Sequence, residues 1–161
     1  MVKLIEIEPQ VYVAGQLVAE DFAAIAAAGI VTVVNNRPDG EADDQMTTAT
    51  AAAAAARQGL AYHYQPARNF QITEDHVVEP FAEALASLPR PILFYCRTGT
   101  RCTILWAQAS ARRLGAAKVL RIAQLAGYDL AHVREVVDTR ASAGSGGDDT
   151  ANKLAGAGAA A

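Results

Sequence analysis

Apolar residues fall along this chain in short blocks of two kinds, some at strand spacing and some at helical spacing. Leu4–Ile7 and Val11–Ala14 alternate on either side of Pro9 and predict an opening pair of strands. From Glu20 to Ala28, Phe22, Ala23, Ile25 and Ala26 recur at helical spacing, and Gly29 closes the run as a C-cap residue would. Ile30–Val34 is a β-branched run stopped by Asn35-Asn36, the mark of a buried strand. Arg37–Asp44, with Pro38-Asp39-Gly40, has the chemistry of a turn-rich loop. An alanine-rich helix is expected from about Thr47 to Gln58, ending at Gly59. It is followed by a strand over Ala61–Gln65 and a loop over Pro66–Gln71. Thr73-Glu74-Asp75 resembles a helix start, with the helix running to about Ser87 before Pro89 and Pro91. Pro91–Tyr95 then reads as a strand and Cys102–Leu114 as a helix.

Beyond Gly115 the pattern is ambiguous. Lys118–Ile122 fits a strand, but Val119, Ile122, Ala123 and Ala126 also share one helical face. The reading adopted is a helix to Ala126, a turn at Gly127-Tyr128-Asp129 and a last helix from Leu130 to about Arg140. From Ala141 onward Gly, Ala, Ser and Asp follow without periodicity, which predicts a disordered tail over 141–161 beyond a single domain over 1–140. Strands alternating with helices imply an α/β fold with a small, mainly parallel sheet flanked by helices. Its ligand crevice is then expected at the carboxyl ends of the strands.

Composition narrows the function. The 161 residues suffice for one domain with a real core, and a net charge of −3 argues against nucleic acid as the main partner. Met1–Glu8 lacks the apolar core of a signal peptide, and the alanine runs are interrupted before they could span a bilayer, so a cytoplasmic protein without membrane contact is expected. In that compartment the two cysteines stay reduced. Two cysteines six apart without an adjoining histidine are no zinc signature, and neither metal nor cofactor is expected.

The chemistry concentrates in Ile92-Leu93-Phe94-Tyr95-Cys96-Arg97-Thr98-Gly99-Thr100-Arg101-Cys102, an apolar strand that empties into a cysteine, a polar loop and a helix. Such a loop turns its N–H groups inward as an anion cradle, and both the helix dipole and Arg101 favour a Cys96 thiolate. Cys96 is therefore the expected nucleophile and Arg101 its anion-facing partner. Arg97, Thr98, Gly99, Thr100 and Cys102 complete the anion-binding loop, with Gly99 supplying a positive φ or a close approach. Arg97 either lines the pocket mouth or is merely solvated. Cys102 reads either as a small residue packed in the first helical turn or as a thiol that resolves an oxidised or persulfidated Cys96. His63 is read as structural, and His76 and His132 as solvated.

From Val11 to about Leu130 the chain resembles the beta-lactamase hydrolase-like (DUF442) phosphatase-like family. The resemblance rests on Val13-Ala14-Gly15-Gln16, Val33-Val34-Asn35-Asn36-Arg37-Pro38-Asp39, Cys96-Arg97-Thr98-Gly99-Thr100-Arg101 and Ala126-Gly127-Tyr128-Asp129. It implies a tyrosine or dual-specificity phosphatase-like fold with the signature cysteine beneath a central loop, and places Gln16 and Arg37 at the pocket rim. The loop alone is similar to that of rhodaneses. Tyrosine phosphatases carry His-Cys-x5-Arg, whereas here Tyr95 precedes the cysteine and Arg101 arrives one residue sooner. A shorter ring fits a persulfide sulfur better than a tetrahedral dianion. A phosphatase also needs an acid for the leaving oxygen, and Pro66–Gln71, where one is expected, has none. Asp75 is the nearest candidate, although the helix dipole already accounts for an acidic residue there.

These departures favour a sulfurtransferase that carries sulfane sulfur as a Cys96 persulfide, taken from a small-molecule donor. The alternative is a phosphatase acting on phosphoesters through a Cys96 thiophosphate. A third reading is a non-catalytic anion or redox sensor.

Overall fold

The computed structural model describes residues 2–143. Five strands, β1 (Ile5–Glu8), β2 (Val11–Ala14), β3 (Thr32–Asn35), β4 (Ala61–Tyr64) and β5 (Ile92–Tyr95), form one sheet in the order β1-β2-β5-β3-β4. Only the β1–β2 hairpin is antiparallel, and its turn places Gln10 at φ 66°. The other three pairings are parallel, with β5 at the centre between β2 and β3. The sheet is thus the mixed, mostly parallel one expected.

Alternation along the strands divides the core. Ile92 and Phe94 of β5 point to one face with Val11, Val13 and Val34, whereas Leu93 and Tyr95 point to the other with Val33. The second face is covered by α1 (Asp21–Ala27), through Phe22 and Ile25, and by α2 (Thr48–Arg57), through Ala51, Ala54 and Ala55. The alanines give α2 high helical propensity, and their small side chains let it lie close to the sheet. Thr47 caps it by accepting from the Thr50 N–H at 3.3 Å.

The first face carries α3 (Asp75–Ser87), α4 (Thr100–Leu114), α5 (Ala116–Leu125) and α6 (Arg134–Ser142). Buried almost all round, α4 is the spine of this layer, and Trp106 at its middle is fully enclosed. Phe81 of α3 stacks on Phe94 of β5 with ring centroids 4.2 Å apart.

The Lys118–Ile122 segment is helical within α5, as read from the sequence, because Val119 and Ala123 sink into the core beside α4. Two other local expectations shift. Thr73 does not cap α3, which begins at Asp75; its carbonyl instead accepts from Arg140 Nη2 at 2.9 Å. The final helix continues to Ser142, past the expected start of the tail, while 144–161 lie outside the described residues. Among the described residues no helix is long and apolar enough to cross a membrane.

Candidate active site

The centre of the sheet fixes where the chemistry sits. Ala14, Tyr95 and Asn35 pair across β2, β5 and β3, so the three strands end level and release Gly15, Cys96 and Asn36 side by side. The next turn is tied to both neighbours: Gln16 N–H donates to the Arg97 carbonyl at 3.0 Å, and Asn36 N–H to the Tyr95 carbonyl at 2.8 Å. Gly15 allows this closeness, since a Cβ there would lie 3.2 Å from the Arg97 carbonyl oxygen.

Cys96 lies at the floor of this turn, 1% exposed, and its Sγ accepts the Gly99 N–H at 3.1 Å. Its pKa is lowered to about 6. The hydrogen bond from the Cys102 thiol is the main cause; burial opposes it, and the N–H groups of Cys102, Thr98 and Gly99 assist. Cys102 shifts the other way, its thiol raised first by burial and then by the Cys96 sulfur. The charge therefore settles on Cys96 and the proton stays on Cys102. The Cys102 thiol also donates to Asn36 Oδ1, 3.4 Å from Cys102 Sγ, so the Cys96 sulfur and the Asn36 amide share this donor.

Gly99 opens α4 at φ 88°, in the left-handed region where a side chain is strained. A Cβ there would also overlap the Tyr128 hydroxyl. That hydroxyl donates to the Thr98 carbonyl at 3.4 Å, so Tyr128 is laid across the loop. Burial, and then the Cys96 charge, raise the Tyr128 pKa and keep the phenol protonated.

Arg101 is where the structure departs most from expectation. Its guanidinium is buried and grips Glu41, with Nη1–Oε2 and Nη2–Oε1 both at 3.1 Å, while Nη1 also donates to the Ala67 carbonyl at 2.9 Å. The low Cys96 pKa thus comes from hydrogen bonds inside the loop rather than from the Arg101 charge, which Glu41 balances. Arg101 Nε is left buried and without a partner. Glu41 also accepts from Arg37 Nε at 2.9 Å, and Arg37 Nη1 in turn donates to Gln16 Oε1 at 2.9 Å. Burial raises the Glu41 pKa, but the hydrogen bonds and charges of Arg101 and Arg37 outweigh it and hold the carboxyl below its ordinary value.

Sequence reasoning missed Glu41, because an acidic residue in a turn-rich loop carries no signal of a partner 60 positions away. Arg37 and Gln16 stand behind Arg101 in this relay and do not border the hollow.

The hollow over the cysteine has a volume of about 530 Å³. It is lined by Cys96, Arg97, Thr98, Thr100 and Arg101, with Ile104 of α4, and by Asn69, Ile72 and His132 from other stretches of chain. Asp75 is not part of it. Its carboxylate pairs with Arg140 at 2.6 Å, is 73% exposed, and borders a different cleft between α3 and α6. His132 is exposed, as read from the sequence, but it also faces the hollow.

Residues 3–113 match the family model described as beta-lactamase hydrolase-like protein, phosphatase-like domain. The chain belongs to this family. A beta-lactamase hydrolase-like protein from Xylella fastidiosa is 31% identical over 105 residues, which cover 65% of this chain but 24% of that protein. The phosphatase-like domain thus spans about a quarter of the length of the curated relatives it matches. Among solved structures, a candidate phosphatase from Neisseria meningitidis superimposes with a TM-score of 0.76 at 34% identity, covering 84% of this chain and 96% of that one. The fold is shared more widely. TpbA from Pseudomonas aeruginosa, solved with phosphotyrosine, gives a TM-score of 0.61 at 17% identity over 87% of this chain and 88% of its own. The phosphatase-like domain is therefore a tyrosine/dual-specificity-like α/β fold, and these likenesses support a cysteine-based, phosphatase-like enzyme.

Proposed function

We propose that the protein is a cysteine-dependent phosphatase that hydrolyses small phosphomonoesters through a thiophosphate on Cys96. One observation carries this reading: a Cys96 thiol with a pKa of about 6 lies among N–H donors at the floor of a hollow bordered by two arginines. A thiolate at neutral pH is the nucleophile such a reaction requires. The N–H groups around Cys96 Sγ and the Arg101 guanidinium, whose Nε has no partner in the protein, would serve as donors to the oxygens of a phosphoryl group. Glu41 and the Ala67 carbonyl fix the plane of the guanidinium beforehand, so Arg101 meets the anion without reorganising. In the first step Cys96 Sγ forms a bond to phosphorus as the ester oxygen departs; in the second, water displaces the sulfur and releases inorganic phosphate.

Sulfur transfer stands as the second reading, favoured by two observations. The Cys96-x4-Arg101 loop is a residue shorter than the tyrosine phosphatase ring, and among the described residues no carboxylate borders the hollow. In that reaction the Cys96 thiolate takes the outer sulfur of a persulfide and passes it to a thiol, sulfite or cyanide. The likeness to phosphatases supports the first reading over the second. A cytoplasmic location suits either.

One experiment separates them. Wild type and Cys96→Ser are incubated with a low-molecular-weight persulfide, weighed intact by mass spectrometry, and assayed in parallel on an aryl phosphate. Phosphate release that requires Cys96, without sulfur loading, is the expected result. One added sulfur on the wild type alone, discharged by cyanide and with negligible phosphate release, would overturn the phosphatase reading in favour of sulfur transfer.

A further inference from the structure

The hollow holds a thiolate and two guanidinium groups, but a phosphomonoester with a poor leaving group also needs a proton on its departing oxygen. Arginine does not surrender a proton near neutral pH, and threonine and asparagine side chains are no acids there. Asp75 faces elsewhere and Glu41 is locked behind Arg101. Among the residues described around the hollow, the remaining side chain whose chemistry lets it both give and take a proton is the imidazole of His132.

The fold holds His132 there from both sides. The turn at Gly127 brings Tyr128 across the cysteine loop, where its hydroxyl meets the Thr98 carbonyl. Leu130 and Val133 then drop into the core cluster that also contains Cys96 and Cys102. Between these anchors a single 3₁₀ turn, Ala131–Val133, is started by Asp129, whose Oδ1 accepts the Ala131 N–H at 3.0 Å. With Leu130 and Val133 turned inward, His132 is left on the outer side, exposed and against the hollow.

We propose that His132 is a catalytic residue, the general acid that replaces the missing carboxylic acid; this rests on the phosphatase reading. As Cys96 Sγ bonds to phosphorus and the phosphorus–oxygen ester bond breaks, the imidazolium N–H passes its proton to the departing oxygen. Water then attacks the thiophosphate, neutral His132 accepts its proton, and the sulfur–phosphorus bond breaks to give phosphate and the Cys96 thiolate. Protons and electron pairs balance over the cycle, and no further reagent is consumed.

The test compares kcat/KM for phenyl phosphate, a poor leaving group, and para-nitrophenyl phosphate, a good one, in wild type, His132→Gln, His132→Ala and Cys96→Ser. The chemical step up to the thiophosphate governs this parameter. His132→Gln is expected to lower phenyl phosphate turnover by roughly 100-fold and to change para-nitrophenyl phosphate turnover by less than about tenfold, the range general-acid loss gives. Added imidazole should restore part of the phenyl phosphate activity of His132→Ala, a rescue that a merely structural side chain would not show. Equal losses on both substrates, or none on either, would overturn the role of His132 while leaving the phosphatase reading in place. A wild type with no Cys96-dependent release from either ester would overturn both.

Discussion

Replacing Cys102 by alanine removes the thiol proton that does most to hold the Cys96 charge, and its effect can be worked out beforehand. A hydrogen bond to an ionised group contributes about 1.5–3 kcal/mol, and the long, weak S–H donor belongs at the low end. At 1.36 kcal/mol per pKa unit, the Cys96 pKa should climb from about 6 to roughly 7. Near pH 6.5 the ionised fraction then falls from about three quarters to about a quarter, and the alkylation rate falls with it. The assay is the pH dependence of thiolate ultraviolet absorbance, or of iodoacetamide alkylation, with Cys96→Ser as the blank. Cys102→Ser restores a hydroxyl donor and should return most of the shift. Cys102 is fully buried, so the alanine variant also loses about 1 kcal/mol of stability to the space it leaves, read separately from its melting curve. An inflection that stays near pH 6 in Cys102→Ala would refute the reasoning and assign the low pKa to the backbone N–H groups alone.

The depressed Cys96 pKa also sets a pH dependence of folding. Its contribution to stability is complete above the pKa of an unfolded cysteine and is lost as pH falls through about 6, which denaturant titrations at several pH values measure. The same ionisation should give kcat/KM an acid limb with an inflection near pH 6, absent if another group limits the rate. Glu41→Gln unpairs both Arg101 and Arg37. With a quarter of the Glu41 side chain in solvent, the cost should be about 2 kcal/mol, or a melting point lower by roughly 4–8 °C; an unchanged melt would show that the relay contributes nothing. Gly99→Ala combines left-handed strain of about 1–2 kcal/mol with the overlap on Tyr128. Adding Tyr128→Phe should recover part of that loss, whereas equal costs in both backgrounds would dismiss the contact.

The order of elements and the place of Cys96 were legible because they rest on local signals: β-branched runs, alanine helices, and a glycine at a loop that turns into a helix. Gly99 could be assigned a positive φ, which it has at 88°, but not the phenol of Tyr128 above it. What the pattern could not show were partners joined through space. Arg101 reads from the sequence as an anion-facing group, but nothing local shows that its guanidinium is held by Glu41 and Ala67, from two loops at the ends of other strands. Asp75 was the nearest acid in sequence, but the first turn of α3 directs it to Arg140. His132 reads from the sequence as one more solvated histidine, because nothing local reveals that the turn before α6 brings it to the hollow that contains Cys96.

The level ends of β2, β5 and β3 separate two parts of the protein that selection can alter independently. The cysteine loop rests on main-chain bonds between strand ends, from Gln16 to Arg97 and from Asn36 to Tyr95, and the sulfur is tuned by the Cys102 thiol. The rest of the lining is drawn from other stretches of chain, at Asn69, Ile72 and His132. Substitutions at Asn69 and Ile72 can therefore reshape what docks without retuning the nucleophile.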